Sequence, residues 1–265
     1  MHRTSRHQQL RVLTYNVHRC LGTDRRLSPA RIAEVVAACE PDVVALQELD
    51  VGRVRTGGVD QAHAIAQELG MAFHFHPAFR VMEELYGDAI LTARPSRLVR
   101  AGPLPGLTGV RRMEPRGALW ASIDTGRVHV QVINTHFGLV ARERQAQAEA
   151  ILGADWLGHP ECRHPMILLG DFNAVPQSRV YRRLTGRLSD AQRALQTHRP
   201  LATFPSRLAL LRIDHVFVGP GIEVLKVEVP HTPLTSVASD HLPLVVDVRI
   251  APSPERPPTS LADCE

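Results

Sequence analysis

The sequence predicts a mixed α/β domain whose polar chemistry gathers at strand ends, and three observations predict it. Apolar runs of strand length alternate with stretches of helical periodicity. One run, residues 42–46, is apolar at every position after Asp42, as in a strand buried on both faces. Asn, Asp, Glu and His recur where such runs begin or stop.

Each element has a local reason. Residues 10–17 form a strand, with Leu10, Val12 and Thr14 alternating against Arg11, Leu13 and Tyr15. Ser28-Pro29 caps a helix with Ile32, Val35, Val36 and Cys39 on one face, and Pro41 stops it. The strand at 42–46 delivers Gln47-Glu48 at its end. Gly57-Gly58 marks a loop, and Asp60 caps a helix that runs to Leu69 and ends at Gly70. Strands follow at 71–75, 88–93 and 98–101, then a hairpin over 117–133 turning at Thr125-Gly126. A Gly- and Pro-rich loop, 103–115, carries Arg111 and Arg112. A long Ala- and Gln-rich helix spans 140–157. Residues 166–169 read as a buried strand and 178–184 as a short helix, while 188–211 lacks any pattern. Strands at 212–218, 222–229 and 242–250 complete the series. One domain over 9–250 is expected, flanked by a flexible N-terminus (1–8) and a disordered, proline-rich tail (251–265).

At 265 residues the chain can bury a sizeable core, and 44% hydrophobic with 22% charged residues is ordinary for a globular protein. No apolar run approaches the roughly 20 residues of a membrane span, so no stable membrane insertion is expected. The N-terminus lacks a signal-peptide apolar core, and the four cysteines have no paired spacing; a cytoplasmic, reduced monomer is expected. The net charge is +4, but Lys226 is the only lysine, so the arginine excess reads as genome bias and not as a nucleic-acid footprint.

The chemistry centres on Leu168-Leu169-Gly170-Asp171-Phe172-Asn173. Residues two apart on an extended strand end point the same way, so Asp171 and Asn173 emerge together while Phe172 turns inward. An acceptor that orients water beside a donor that grips an anionic oxygen suits hydrolysis of a charged ester. Asn16, Glu48, His136, Asp214, Asp240 and His241 also stand at strand ends. So many acidic and polar groups on one rim call for a cation among them, and oxygen ligands favour Mg²⁺ or Mn²⁺ over zinc.

Six motifs in order carry a family resemblance: Tyr15-Asn16-Val17, Gln47-Glu48, Asn134-Thr135-His136, Gly170-Asp171-Phe172-Asn173, Ile213-Asp214-His215 and Ser239-Asp240-His241. Together they resemble the endonuclease/exonuclease/phosphatase superfamily, DNase I-like in fold, and the chain has the look of a stand-alone bacterial-type member. The resemblance implies a four-layer α/β sandwich, two mixed β-sheets packed face to face with helices outside. It implies metal binding by Glu48, Asn16 and Asp240; deprotonation of the attacking water by Asp171; and phosphate contacts from Asn173, His136 and His241, with Asp214 fixing the His241 tautomer. Arg116 and His18 are placed at the substrate, though Arg116 suits a surface ion pair and His18 a turn cap equally well. His18 stands where exonuclease III and the AP endonucleases carry Asp, which points to the sphingomyelinase, phosphatase and deadenylase branches. The expected activity is hydrolysis of a phosphate ester by direct water attack. The ester is a lipid headgroup, a small phosphodiester or, as the alternative, DNA or RNA cut by a Mg²⁺-dependent nuclease. A catalytically silent binding module is the remaining reading.

Overall fold

The computed structural model describes residues 8–81, 84–107 and 114–251. Arg111, Arg112, most of the expected flexible N-terminus and nearly all of the expected disordered tail lie outside these residues. Elements are numbered in chain order.

The first sheet contains β1 (Gln8–Asn16), β2 (Val43–Val51), β3 (Ala72–Val81), β4 (Glu84–Thr92), β11 (Ile222–Glu228) and β12 (Leu244–Ile250), in the order β11-β12-β1-β2-β4-β3. The second contains β5 (Ser96–Pro103), β6 (Gly117–Asp124), β7 (His129–His136), β8 (Met166–Asp171), β9 (Ser189–Asp190) and β10 (Asp214–Val218), in the order β5-β6-β7-β8-β10-β9. Each sheet is antiparallel except at its centre, where β1 and β2, and likewise β7 and β8, run parallel. Those parallel pairs need helical crossovers, supplied by α1 (Pro29–Ala37) and α3 (Ala141–Leu152). Thus both central pairs end on the same rim.

Alternation along each strand sorts the apolar side chains into three cores. Leu10 and Val12 of β1, Val43 and Ala45 of β2, Val132 of β7 and Leu169 of β8 pack between the sheets. Leu13 and Tyr15 face outward, under Ile32 and Val36 of α1, Ile65 of α2 (Gln61–Leu69) and Ala238 of α6 (Pro233–Ala238). On the other flank, Trp120, Ile133, Leu168 and Phe217 pack under Ile151 of α3 and Val180 and Leu184 of α4 (Arg179–Thr185). The result is the expected pair of mixed sheets, face to face, with helices outside. The predicted caps also form: Ser28 and Asp60 each accept a backbone N–H three residues on, and Ser178, predicted as the first residue of a helix, caps α4 in the same way.

Four local differences have physical reasons. β2 does not stop at Leu46 but runs on to Val51, crossing a bulge at Gln47-Glu48. α3 ends at Leu152, because Gly153 adopts an extended backbone (φ −80°, ψ −177°), so 153–157, predicted as helix, lie beyond its end. α6 was not anticipated; Thr232 and Thr235 cap it reciprocally, with Pro233 in its first turn. The stretch 188–211, expected to be irregular, contains β9 and the single turn α5 (Ala191–Ala194).

Candidate active site

Strand pairing alone brings the predicted residues together. Asp214 stands opposite Asp171 across β10 and β8, and His136 lies level with Asp171 across β7 and β8. Gly170, between Leu169 and Asp171, has φ +143°, and a Cβ there would meet the Thr135 carbonyl oxygen at 1.9 Å. Only glycine lets β8 press this closely on β7 before Asp171 turns into the rim.

Two side chains are aimed by uncommon backbone. Glu48 occupies the β2 bulge with φ 63°, and Asn173 has φ 47°. A bulge adds a residue to one strand and re-aims a side chain. Here it carries Glu48 to the rim, and the Glu48 N–H is taken up by the buried Asp88 carboxylate. Beneath the bulge, Gln47 donates to Asn134 Oδ1 at 2.8 Å and ties the two sheets, while Asn134 donates to the Leu46 and Ala89 carbonyls. Phe172 packs edge-on between Phe137 and Phe217, with centroids 5.0 and 5.2 Å away.

The centre of the site is one oxygen, Asp171 Oδ2. Asn16 Nδ2 donates to it at 3.0 Å and to Glu48 Oε1 at the same distance. His136 Nε2 lies 3.4 Å from it and His241 Nε2 3.7 Å. The other oxygen, Asp171 Oδ1, accepts the Asn173 N–H at 2.8 Å. Asn173 Nδ2 donates to the Phe137 carbonyl at 2.9 Å. His241 Nδ1 is 2.9 Å from Asp214 Oδ2, which also accepts the Thr203 hydroxyl at 2.5 Å.

Electrostatics separate the roles. Burial pushes the Asp171 carboxyl up to about 7, the Asp214 charge adds to this, and His241, Asn173 and Asn16 oppose it. Burial disfavours charge on His241, yet the Asp214 carboxylate overcomes that and raises the ring to about 10. His136 moves the opposite way, well below its ordinary value, through burial and then the charges of Arg116 and His241. Arg116 Nη1 lies 3.0 Å from His136 Nδ1. A guanidinium only donates, so Nδ1 accepts and the neutral ring carries its proton on Nε2, facing Asp171.

The predicted set is therefore largely assembled: Asn16, Glu48, His136, Asp171, Asn173, Asp214 and His241 form one cluster joined by hydrogen bonds and close ion pairs. Arg116, expected at the substrate, is buried behind His136. His18 and Asp240 form a separate pair at the mouth, 3.9 Å apart, joined to the cluster where the His18 N–H meets Asn16 Oδ1 at 3.0 Å.

The profile of the Endonuclease/Exonuclease/phosphatase family matches residues 13–241, which span every one of these positions. The chain belongs to this family. Its members are hydrolases acting on phosphate esters, nucleic acids among them, and are generally dependent on divalent metals. The uncharacterized protein YbhP of Escherichia coli K12 is 26% identical over 251 residues, covering 91% of this chain and 96% of YbhP. Among solved structures, the human Nocturnin catalytic domain with bound sulfate aligns at TM-score 0.70 and 23% identity, covering 92% of this chain and 98% of that domain. A mannosyl-6-phosphatase of Bacteroides thetaiotaomicron aligns at 0.69 and 22%, covering 90% and 99%. At these identities the structural matches establish the shared fold.

The donor chemistry fits a divalent cation of the family's kind. Asp171, Asp214 and His241 offer ligand atoms within 4.8 Å of one another, but His241 Nδ1 and Asp214 Oδ2 are spent on each other. Glu48 is the better anchor. Its side chain is 21% exposed against 2% for Asp171, and it shares the Asn16 amide with Asp171. A hard, oxygen-preferring ion suits carboxylates so arranged.

Thr203 and Asp88 join the site without having been expected in it. Thr203 falls in the unpatterned stretch 188–211, where no periodicity could single it out. Asp88 follows Tyr86-Gly87 on β4, in a stretch, 86–91, that resembles the family's pattern but carries no predicted role. Burial pushes its carboxyl up to about 7, against the pull of Arg116.

Proposed function

We propose that this protein is a Mg²⁺- or Mn²⁺-dependent phosphoesterase in which water attacks phosphorus directly. The observation that carries the reading is the ring of nitrogens around Asp171 Oδ2: Asn16, His136 and His241 surround one buried carboxylate oxygen. Glu48, with Asn16 beside it and Asp240 at the mouth, would hold the cation, which when bound neutralises phosphoryl oxygens and stabilises the leaving oxyanion.

The remaining work falls to the chain's own residues. Asp171, raised to about 7, is a base matched to neutral pH and takes the proton of the attacking water. His241 keeps its charge and offers a strong donor to a phosphoryl oxygen, oriented from behind by Asp214. His136, held neutral by its burial and then by the Arg116 charge, presents Nε2–H to the leaving group or to the phosphate. Asn173 positions the water or donates to phosphorus-bound oxygen. His18 flanks the substrate. The fold shared with a mannosyl-6-phosphatase supports phosphate esters as the substrate class. Residues 9–250 act as one domain and as a monomer, in a reducing cytoplasm where Cys20, Cys39 and Cys162 stay free.

The test is turnover of a soluble aryl phosphodiester and a phosphomonoester with Mg²⁺ or Mn²⁺. Asp171→Asn and His241→Ala should each lower kcat by roughly 10²–10⁴-fold while circular dichroism stays native. Near-native turnover in either variant sinks the assignment.

A further inference from the structure

The distribution of exposed apolar side chains is lopsided. The loops that follow β1, β2, β7 and β8, and those that precede β4, β6, β10 and β12, all emerge at the active-site end. Ten large aliphatic residues are exposed among the described residues, and every one except Leu98 on β5 lies in these loops. Their tips are the most exposed: Val54 at 83%, Leu139 at 72%, Leu210 at 69% and Leu208 at 67%. Single exposed apolar residues are ordinary, but their concentration around one end, encircling a catalytic cluster, marks a contact surface.

The loop carrying Leu208 and Leu210 is anchored to the catalytic pair. Phe204 and Leu211 bridge its base. Below that base, Thr203 holds Asp214, the Phe204 ring lies 4.8 Å from the His241 ring, and Ser206 N–H donates to the Asp240 carbonyl at 2.6 Å. Arg207, between the anchored base and the tip, reaches across to Thr23 at 3.2 Å. Arg25, Arg26, Arg199 and Arg207 are exposed in the loops of this end, as is Arg142 in the first turn of α3, and none makes an ion pair among the described residues.

We propose that this end docks on an anionic phospholipid bilayer, and that the substrate is a phosphate ester presented at that surface. Aliphatic tips ringed by unpaired arginines match the chemistry of an interface, where apolar side chains enter below the headgroups and cations meet anionic lipid. Nucleic acid would use the arginines but not the leucines: none of the exposed apolar residues is aromatic, so none offers a stacking platform. The contact is peripheral, since no helix among the described residues is long and apolar enough to cross a membrane. The identity of the substrate rests on the phosphoesterase reading; the docking does not.

The experiment is co-sedimentation of the full chain with vesicles of phosphatidylcholine alone and of phosphatidylcholine with phosphatidylglycerol. The native chain should sediment with the anionic vesicles, more weakly as salt rises. The double substitution Leu208→Ser, Leu210→Ser should weaken that binding about tenfold or more, with an unchanged melting temperature. A native chain that stays in the supernatant overturns the proposal, as does a double variant that binds equally well. Retention on duplex DNA or RNA that outcompetes the vesicles and ignores the leucines also overturns it, in favour of a nucleic-acid surface. Asp171→Asn should still sediment; a native chain that binds the vesicles yet turns over no ester would sink the phosphoesterase reading and leave the docking intact.

Discussion

Thr203 and His241 share a single acceptor, Asp214 Oδ2, at 2.5 and 2.9 Å. The hydroxyl therefore helps fix the carboxylate that fixes the ring. Thr203 touches neither the substrate position nor Asp171; it acts through Asp214 and is a positioning residue. A hydrogen bond to a charged group contributes about 1.5–3 kcal/mol, so Thr203→Val should lower kcat by roughly tenfold or more with little change in KM. Thr203→Ser keeps the hydroxyl and should restore most of the rate. Equal rates for Val and native enzyme would remove Thr203 from the pair.

Stability should depend on pH through two groups that act in one direction. The His241 ring is raised from an ordinary value near 6.5 to about 10. Its contribution is complete below about pH 6.5 and is lost as pH climbs through 10. Asp171 is raised to about 7, so its burial becomes costly as pH rises from about 4 and that cost is complete above 7. In chelator, without divalent ions, the melting temperature should fall from mildly acidic to alkaline pH. Asp214→Asn removes the partner that holds the charge on His241, so it should flatten the branch above pH 7. An alkaline branch that is as steep in Asp214→Asn as in the native chain would show that His241 is not its source.

How far the sequence foretold this site depends on how each residue is placed. Asp171 and Asp214 sit at the ends of short strands with strong apolar runs, which put them on the rim; Asn173 was expected there too, but it lies past the end of β8 in the αL region, so the extended period-two geometry read for it does not hold. Asn16 and His136 were equally legible, as the terminal residues of strands. Glu48 was found, but its setting was not: a bulge depends on pairing with β4, which a single strand's pattern does not show. Arg116 was read as a substrate contact or the partner of a surface carboxylate; it does lie 3.6 Å from the exposed Glu114, but its burial depends on His136 arriving from another strand. Thr203 was invisible because its loop has no periodicity; its position is fixed by hydrogen bonds between residues distant in sequence, such as Ser206 with Ser239 and Asp240. Secondary-structure pattern reports neighbours along the chain, and the missed residues are those defined by neighbours across it.

Divalent ions should stabilise the native chain by mass action, and the size of that effect isolates Glu48. Its side chain is the least buried carboxylate of the cluster, so Glu48→Gln should fold normally. The substitution leaves the Asn16 neighbour in place but removes the anionic donor. Titration with Mn²⁺ or Mg²⁺, read as the rise in melting temperature, should give an apparent Kd weakened about tenfold or more, equivalent to about 1.4 kcal/mol. An unchanged midpoint would move the metal to Asp171, Asp214 and His241, whose ligand atoms also converge.

Phe172 ties stability to the site most directly. It lies between Asp171 and Asn173, and its fully buried ring stands edge-on to Phe137 and Phe217. Phe137 in turn presents the carbonyl that Asn173 holds. Truncating a buried phenylalanine to alanine costs about 3–5 kcal/mol through lost transfer energy and the cavity left behind. Phe172→Ala should lower the melting temperature by many degrees. At a temperature where the variant is still folded, kcat should fall as well, because the αL turn at Asn173 loses the anchor that sets the spacing of the two polar side chains. Phe172→Leu keeps much of the volume and should recover stability before it recovers rate. Should Phe172→Ala melt lower yet turn over at the native rate when folded, the ring would be a core residue with no part in placing Asp171 and Asn173.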